Sequence, residues 1–209
     1  MLHRHTLPAS ALLLSLTAFC SLPAGAATFT VLNLNDSGTG SLRQALIAAN
    51  ENPGADLINF APAVVGTIAL TSGEIKIEGT VTVNGPGANK LIVSGSNTSR
   101  IFKIDSGAVV NISGLKLADG TASGHGGAIN NDGGNLTLRN CVLSANLASS
   151  DGGALNNEGG DVALINSTVL NNSAINCGGL RNRYGVMTLA NSTVADNTAS
   201  GAAGGICSA

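Results

Sequence analysis

Gly-Gly pairs recur at 126–127, 152–153, 178–179 and 204–205, a constant spacing of 26 residues. The text between the pairs repeats too: GGAINNDGGNLTLRNCVLSANLASSD, GGALNNEGGDVALINSTVLNNSAINC and GGLRNRYGVMTLANSTVADNTASGAA. A fixed period of this length implies one structural unit stacked on copies of itself. The units are full of Gly, Asn, Ser and Thr, which favour turns over helix interiors. Their apolar residues alternate, Leu136 with Leu138 and Val162 with Leu164, as in strands with one buried face. The regular leucine run of a leucine-rich repeat is absent. The expected fold is therefore all-β: a parallel β-helix whose short strands pair with their counterparts one coil along.

The period extends upstream. Residues 100–125 align without a gap, placing Val110 over Leu136, Ile112 over Leu138, Leu117 over Leu143 and the TAS of 121–123 over the LAS of 147–149. Residues 74–99 have the same length and alternate Ile75/Ile77 and Val81/Val83. About five coils follow, or roughly 24 Å of stack at ~4.8 Å per rung. Stacking also accounts for the asparagines. Asn130, Asn156 and Asn182 form one expected column, Asn140, Asn166 and Asn191 a second, and Asn146, Asn172 and Asn197 a third, the last coil reaching its columns one residue early. Asn tolerates left-handed turns, and its amide can bond to the same residue one rung away. All nine are read as structural ladders. The paired glycines read as turns or close backbone approaches. They do not make a nucleotide-binding glycine motif.

Residues 1–27 read as a signal peptide: His3, Arg4 and His5, an apolar stretch from Leu7 to Leu22, and a small-residue PAGAA at 23–27 offering cleavage after Ala26 or Ala27. Cys20 follows Phe19, which is too bulky for a lipid-attachment box. Residues 28–73 are expected to hold an N-terminal cap and first strands, and residues 74–209 the coils, the last one incomplete at GGICSA. Within the cap, Ser41 and Gln44 match a capping box, and Leu42, Ala45, Leu46 and Ala49 make an apolar face that Pro53-Gly54 ends. A short helix over 41–50 would cover the open first rung, whose strand edges would otherwise invite pairing with other chains.

The chain carries a net charge of −2 with 11% charged residues and no basic stripe, which argues against a nucleic-acid partner. The mature chain would keep Cys141, Cys177 and Cys207. Cys141 stacks on Ser167 as a small core or turn residue. Cys177 and Cys207 occupy different places in the coil and are not expected to meet. No Cys or His spacing suits a metal, and no cofactor is implied.

DSGTGSLRQALIAAN, then INF, then IKIEGTVTVNGPGANKLIVSG, resembles the N-terminal cap and first coils of bacterial exported right-handed parallel β-helix proteins. The GGAI…N and GGAL…N units are similar to repeats of the polymorphic outer-membrane proteins and of autotransporter-passenger-like surface proteins. The resemblance covers residues 28–209. It implies a right-handed coil and an exported, surface or secreted, adhesin-like protein, possible outer-membrane association included, and it brings no catalytic residues. The ligand would be a glycan or a host or cell-surface protein, met by a monomer.

Parallel β-helices also house pectate lyases and other polysaccharide enzymes, which need clustered acids. Asp132 and Glu158 are 26 apart and should sit on adjacent rungs, with Tyr184 on the next and Arg181 and Arg183 beside it. This is the candidate binding patch, for a sugar or cation. The competing reading is a solvated turn column, since Gly133-Gly134 and Gly159-Gly160 mark loops too flexible for fixed catalytic geometry. His125, stacked near Asp151, reads as a turn contact. The expected function is a noncatalytic binding and display scaffold. The alternative is a polysaccharide lyase or glycoside hydrolase using Asp132 and Glu158.

Overall fold

The computed structural model describes residues 25–208. Most of the expected signal peptide, including Cys20, lies outside these residues. The chain winds into a right-handed parallel β-helix whose strands stack into four sheets. The first sheet runs through seven strands: Thr28–Val31, Ala55–Phe60, Thr80–Asn84, Val109–Ser113, Asn135–Arg139, Val162–Ile165 and Met187–Ala190. The second stacks Gly66–Ala69, Leu91–Ser94, Lys116–Ala118, Val142–Ser144, Thr168–Leu170 and Thr193–Ala195. The third stacks Ile75–Ile77, Phe102–Ile104, Ile129–Asn131, Leu155–Asn157, Leu180–Asn182 and Ile206–Ser208. A fourth sheet of two-residue strands, Thr121–Ala122, Leu147–Ala148, Ser173–Ala174 and Thr198–Ala199, forms only in the later coils.

The stack has about seven turns, not five. Successive partners in the first sheet lie 29, 25, 29, 26, 26 and 25 residues apart, read from Thr28↔Leu57, Ala55↔Thr80, Thr80↔Val109, Val109↔Asn135, Leu136↔Val162 and Val162↔Met187. The early rungs vary in length, so a strict 26-residue period does not reveal them, and the solenoid starts at Thr28. Its interior is narrow. Ile58, Val83, Ile112, Leu138 and Leu164 from the first sheet, and Leu91, Leu117 and Leu143 from or beside the second, are all at most 1% exposed. Phe102 is the largest fully buried side chain. The first-sheet strands Thr80–Asn84, Val109–Ser113, Asn135–Arg139 and Val162–Ile165 bury alternate residues, as a half-buried pleat requires.

Among the described residues a single helix, α1 (Leu42–Glu51), covers the first rung. Its buried face is Leu42, Ala45, Leu46 and Ala49, and it packs on Thr28–Val31, Ala55–Phe60 and Ile75–Ile77. Ser41 is the N-cap: its Oγ accepts from the Gln44 amide at 3.1 Å. The reciprocal half of the capping box is replaced by a bond from the Ser41 amide to the Gly38 carbonyl. Asn52, extended before Pro53, ends the helix. Asp36 fixes the cap to the body. Its Oδ2 accepts from the amides and hydroxyls of Thr71 and Ser72, and its Oδ1 pairs with Arg43 at 2.7 Å. Arg43 in turn donates to the carbonyls of Gly73 and Glu74. Burial pushes the Asp36 carboxyl up, but bonds from Ser72, Arg43 and Thr71 outweigh it and hold the group well below the usual carboxylate range.

The asparagines divide into three kinds. Asn146, Asn172 and Asn197 are a true ladder at the corner before the fourth sheet. Asn146 donates its amide N–H and its Nδ2 to Asn172 Oδ1 at 2.9 and 2.8 Å, and Asn172 repeats this to Asn197 at 3.0 and 2.9 Å. Each Nδ2 also reaches back to a carbonyl of the preceding coil: Leu117, Leu143 or Val169. Asn140, Asn166 and Asn191 have φ of 53°, 50° and 50° and are exposed, so they serve by backbone conformation and form no side-chain ladder. The expected column of Asn130, Asn156 and Asn182 is corrected. Asn156 Nδ2 does reach Asn130 Oδ1 at 2.8 Å, but Arg181 is the register partner of Asn156. The coil loses one residue just before Gly178-Gly179, where the Gly179 carbonyl meets the Ala154 amide as the Ala154 carbonyl meets the Ala128 amide, so Asn182 joins a column with the fully buried Asn131 and Asn157. Bonds of 2.6 and 2.7 Å link these three, and each Nδ2 also meets a glycine carbonyl at 134, 160 or 185.

Two outcomes follow from these contacts. Asn172→Ala strands several buried partners and should cost about 3 kcal/mol or more in chemical denaturation, whereas Asn166→Gly, at positive φ, should stay within about 0.5 kcal/mol of the parent. Asp36 has a lowered folded pKa, so its stabilisation is present above the unfolded carboxyl value of about 4 and is lost as pH falls below it towards the folded pKa. Asp36→Asn should lower the melting temperature at pH 7 and shrink the loss between pH 5 and pH 2, as read by circular dichroism.

Candidate functional site

The outward face of the third sheet gathers a run of stacked charges. One column of residues runs along it as Lys76, Lys103, Asn130, Asn156, Arg181 and Cys207. The column at the strand ends is Glu78, Asp105, Asp132, Glu158 and Arg183, because the Asp105, Asp132, Glu158 and Arg183 amides each bond to the coil before. Like charges stacked at ~4.8 Å repel, and cations from the first column, with Arg183 from the second, offset this. Lys76 Nζ bridges Glu78 at 2.5 Å and Asp105 at 2.7 Å. Lys103 Nζ lies 3.6 Å from Asp105 and 3.9 Å from Asp132. Arg181 and Arg183 take the two oxygens of Glu158 at 3.0 and 2.7 Å.

The five patch residues expected from the sequence are thus brought to one face but not into one constellation. Asp132 and Glu158 occupy adjacent rungs as expected. Glu158 is fully engaged by two arginines, while Asp132 stays half-exposed with Lys103 as its nearest cation. Tyr184 does not continue their column. The one-residue deletion puts Arg183 over Glu158 and carries Tyr184 beyond it, 71% exposed at φ 58°, with the Arg183 guanidinium 4.5 Å above its ring. Glycoside cleavage by paired carboxylates needs one group free to protonate the leaving oxygen and one free to act as base or nucleophile. Glu158, ion-paired twice, is neither.

Asp151 is the less obvious member. It is 8% exposed, with the His125 Nδ1 3.0 Å away but off the hydrogen-bond direction, so the contact is electrostatic. Burial pushes its carboxyl up, and bonds from Asn176 and Ser150 with the charges of Arg181 and His125 outweigh it and hold it down. Arg181 Nε approaches it at 3.9 Å across the Gly152-Gly153 bend. The same diagonal one coil later is covalent: Cys177 and Cys207 form a disulfide, their Cα atoms 5.7 Å apart. This overturns the expectation that they do not meet. The bend at Gly178-Gly179 folds the residue before it back against the third-sheet strand of the next coil, as the bend at Gly152-Gly153 does for Asp151 and Arg181. Cys141 is a buried free thiol stacked on Ser167, whose Oγ accepts from its amide at 3.1 Å; burial pushes the thiol up.

A groove of about 870 Å³ runs along the fourth sheet. Its middle column is Ala122, Ala148, Ala174 and Ala199, flanked by Thr121, Leu147, Ser173 and Thr198 on one side and Ser123, Ser149, Ile175 and Ser200 on the other. Ala122, Ala148 and Ala174 are buried, whereas Leu147 and Ile175 are 48% and 50% exposed. The groove begins at Thr98–Arg100, where Arg100 pairs with Glu74 and donates to the His125 and Gly126 carbonyls at 2.9 Å. Five coils line it, a span of roughly 19 Å at ~4.8 Å per step. The alignment of TAS over LAS marks two of its rungs, but the concavity is a tertiary result of small side chains at a corner.

Among the described residues no group of three or more His, Cys, Asp or Glu is placed to hold a metal ion, and no helix is long and apolar enough to cross a membrane. No protein-family model matches the chain, and no curated protein matches it. Its class is therefore defined by the fold alone: a parallel β-solenoid.

The disulfide closes a segment with a sequence separation of 30. Reduction should destabilise the last coil by about 3 kcal/mol. Hydrogen exchange should show faster exchange over 198–208 after reduction, with the coils around Leu138 unchanged.

Proposed function

We propose that this chain is an exported binding and display scaffold, secreted or held at a cell surface, that engages an extended ligand along the groove of its fourth sheet. The observation that carries the reading is the groove itself: five coils present a continuous trough of alanine, serine and threonine with two exposed aliphatic side chains, Leu147 and Ile175, at its flanks. Hydroxyls on both sides with an apolar floor suit an extended polar chain, a glycan or a segment of a cell-surface protein. The signal-like residues 1–27 and the resemblance of the cap and repeats to exported bacterial β-helix proteins support the location. The polysaccharide-cleaving alternative has less support, because Glu158 is held by Arg181 and Arg183.

The test is a glycan array and a cell-surface binding assay with the exported protein. Leu147→Glu combined with Ile175→Glu should weaken binding at least tenfold while leaving the melting temperature within a few degrees, since both side chains are solvent-facing. Asp132→Asn should leave binding intact. Cleavage of any polysaccharide that Asp132→Asn abolishes would replace this reading with the enzymatic one.

A further inference from the structure

The first rung contains a buried carboxylate with half of its bonding capacity unmet. Asp56, in the strand Ala55–Phe60, is 2% exposed. Its Oδ1 accepts from the Ala27 amide at 2.8 Å and from Asn52 Nδ2 at 2.7 Å. Its Oδ2 is buried and has no partner. None of the ion pairs among the described residues involves Asp56. A buried carboxylate in this state is costly, and what it lacks is a cation with a second donor at the position of the Ala27 nitrogen.

We infer that the mature chain begins at Ala27 and that Asp56 is the receptor for its α-ammonium group. Two sites were open in the sequence, after Ala26 or after Ala27. The structure separates them. The Ala27 nitrogen faces Asp56, and its carbonyl accepts from the Leu57 amide at 2.8 Å, so Ala27 is part of the first sheet's pairing. Ala26 is exposed, and Gly25 contributes one long bond of 3.2 Å from Asn52. Hydrolysis of the Ala26–Ala27 peptide by a leader-removing peptidase adds one water across the C–N bond. The carbonyl carbon takes the hydroxyl, and the nitrogen takes the remaining hydrogen and the proton released by the new carboxyl. The product is a carboxylate on the departing leader and an ammonium on Ala27. That ammonium has three N–H donors where the amide had one, enough to keep Oδ1 and supply Oδ2. Processing thereby converts an under-bonded buried charge into a buried ion pair at the joint between the first two strands, completing the fold only after the leader has gone.

This inference rests on the proposed export, and the experiment separates the two. The full chain is expressed in a bacterium, the exported fraction is purified, and its N-terminus is read by sequencing and intact mass. A start at Ala27 is expected. An exported chain starting at Thr28 or elsewhere overturns the inference and leaves export standing. A chain kept inside with its leader overturns both. The pairing is then tested on the exported protein with Asp56→Asn, with one Ser inserted between Ala26 and Ala27, and with both. Each single change should lower the melting temperature by about 5 °C or more, and the double change should cost little more than either alone. If the two losses add, Asp56 holds only the backbone and the ion pair is refuted.

Discussion

Each coil must turn its backbone through several corners within a layer only ~4.8 Å thick, and the polar groups at those corners are hidden from water. A corner amide can be met only by its own turn or by the coil directly above or below. That constraint selects a side chain with a donor and an acceptor at one end, placed at the same point in every coil. Asn146, Asn172 and Asn197 satisfy it before the fourth sheet, and Asn131, Asn157 and Asn182 satisfy it after the third. Ser167 and Ser192 do so more weakly after the first sheet, each accepting from the amide one coil before while donating within its own corner. The apolar interior supplies burial, but these columns fix which residue faces which.

The same constraint explains what could be read from the sequence. Residues 100–177 repeat without insertion at nearly every point, so their strands, core and Asn146 column are legible at sight. Upstream, rungs of 25 and 29 residues satisfy the same pairing with unequal corners, and a fixed period misses the two earliest. The position of a single deletion mattered more. Placing it after Tyr184, not ahead of Gly178-Gly179, moves Asn182 to the wrong column and Tyr184 on to Glu158. An NN doublet at 130–131 and 156–157 held the missing signal: its first residue faces out and its second faces in, and the apolar partner two residues before the second, Ile129 or Leu155, fixes which is which.

Contacts between columns were not legible, because they depend on how a bend folds back. The disulfide and the Asp151–Arg181 approach each cross a Gly-Gly bend, at Gly178-Gly179 and at Gly152-Gly153. A linear period orders residues along the stack but says nothing of distances around the coil. The charged face shows a related limit. Stacked Asp132 and Glu158 look from the sequence like an acid pair, but acids on successive rungs repel, and the face is tolerable because Lys76, Lys103, Arg181 and Arg183 are interleaved with them. A stacked acid column in such a fold is therefore an electrostatic problem that its neighbours solve before it is a catalytic opportunity.

That argument supports the proposal that the groove, and not the charged face, is the binding surface. Interior residues answer to packing, corner asparagines to hydrogen bonding, and the third-sheet ions to one another. The columns beside Ala122, Ala148 and Ala174 answer to none of these. Nothing in the core requires Leu147 or Ile175 to stand half-exposed, and nothing in the corners requires hydroxyls at Ser123, Ser149 and Ser200. In a solenoid each coil contacts only its neighbours, so a surface that spans five coils and is held by no local need is where a requirement from outside the chain can act.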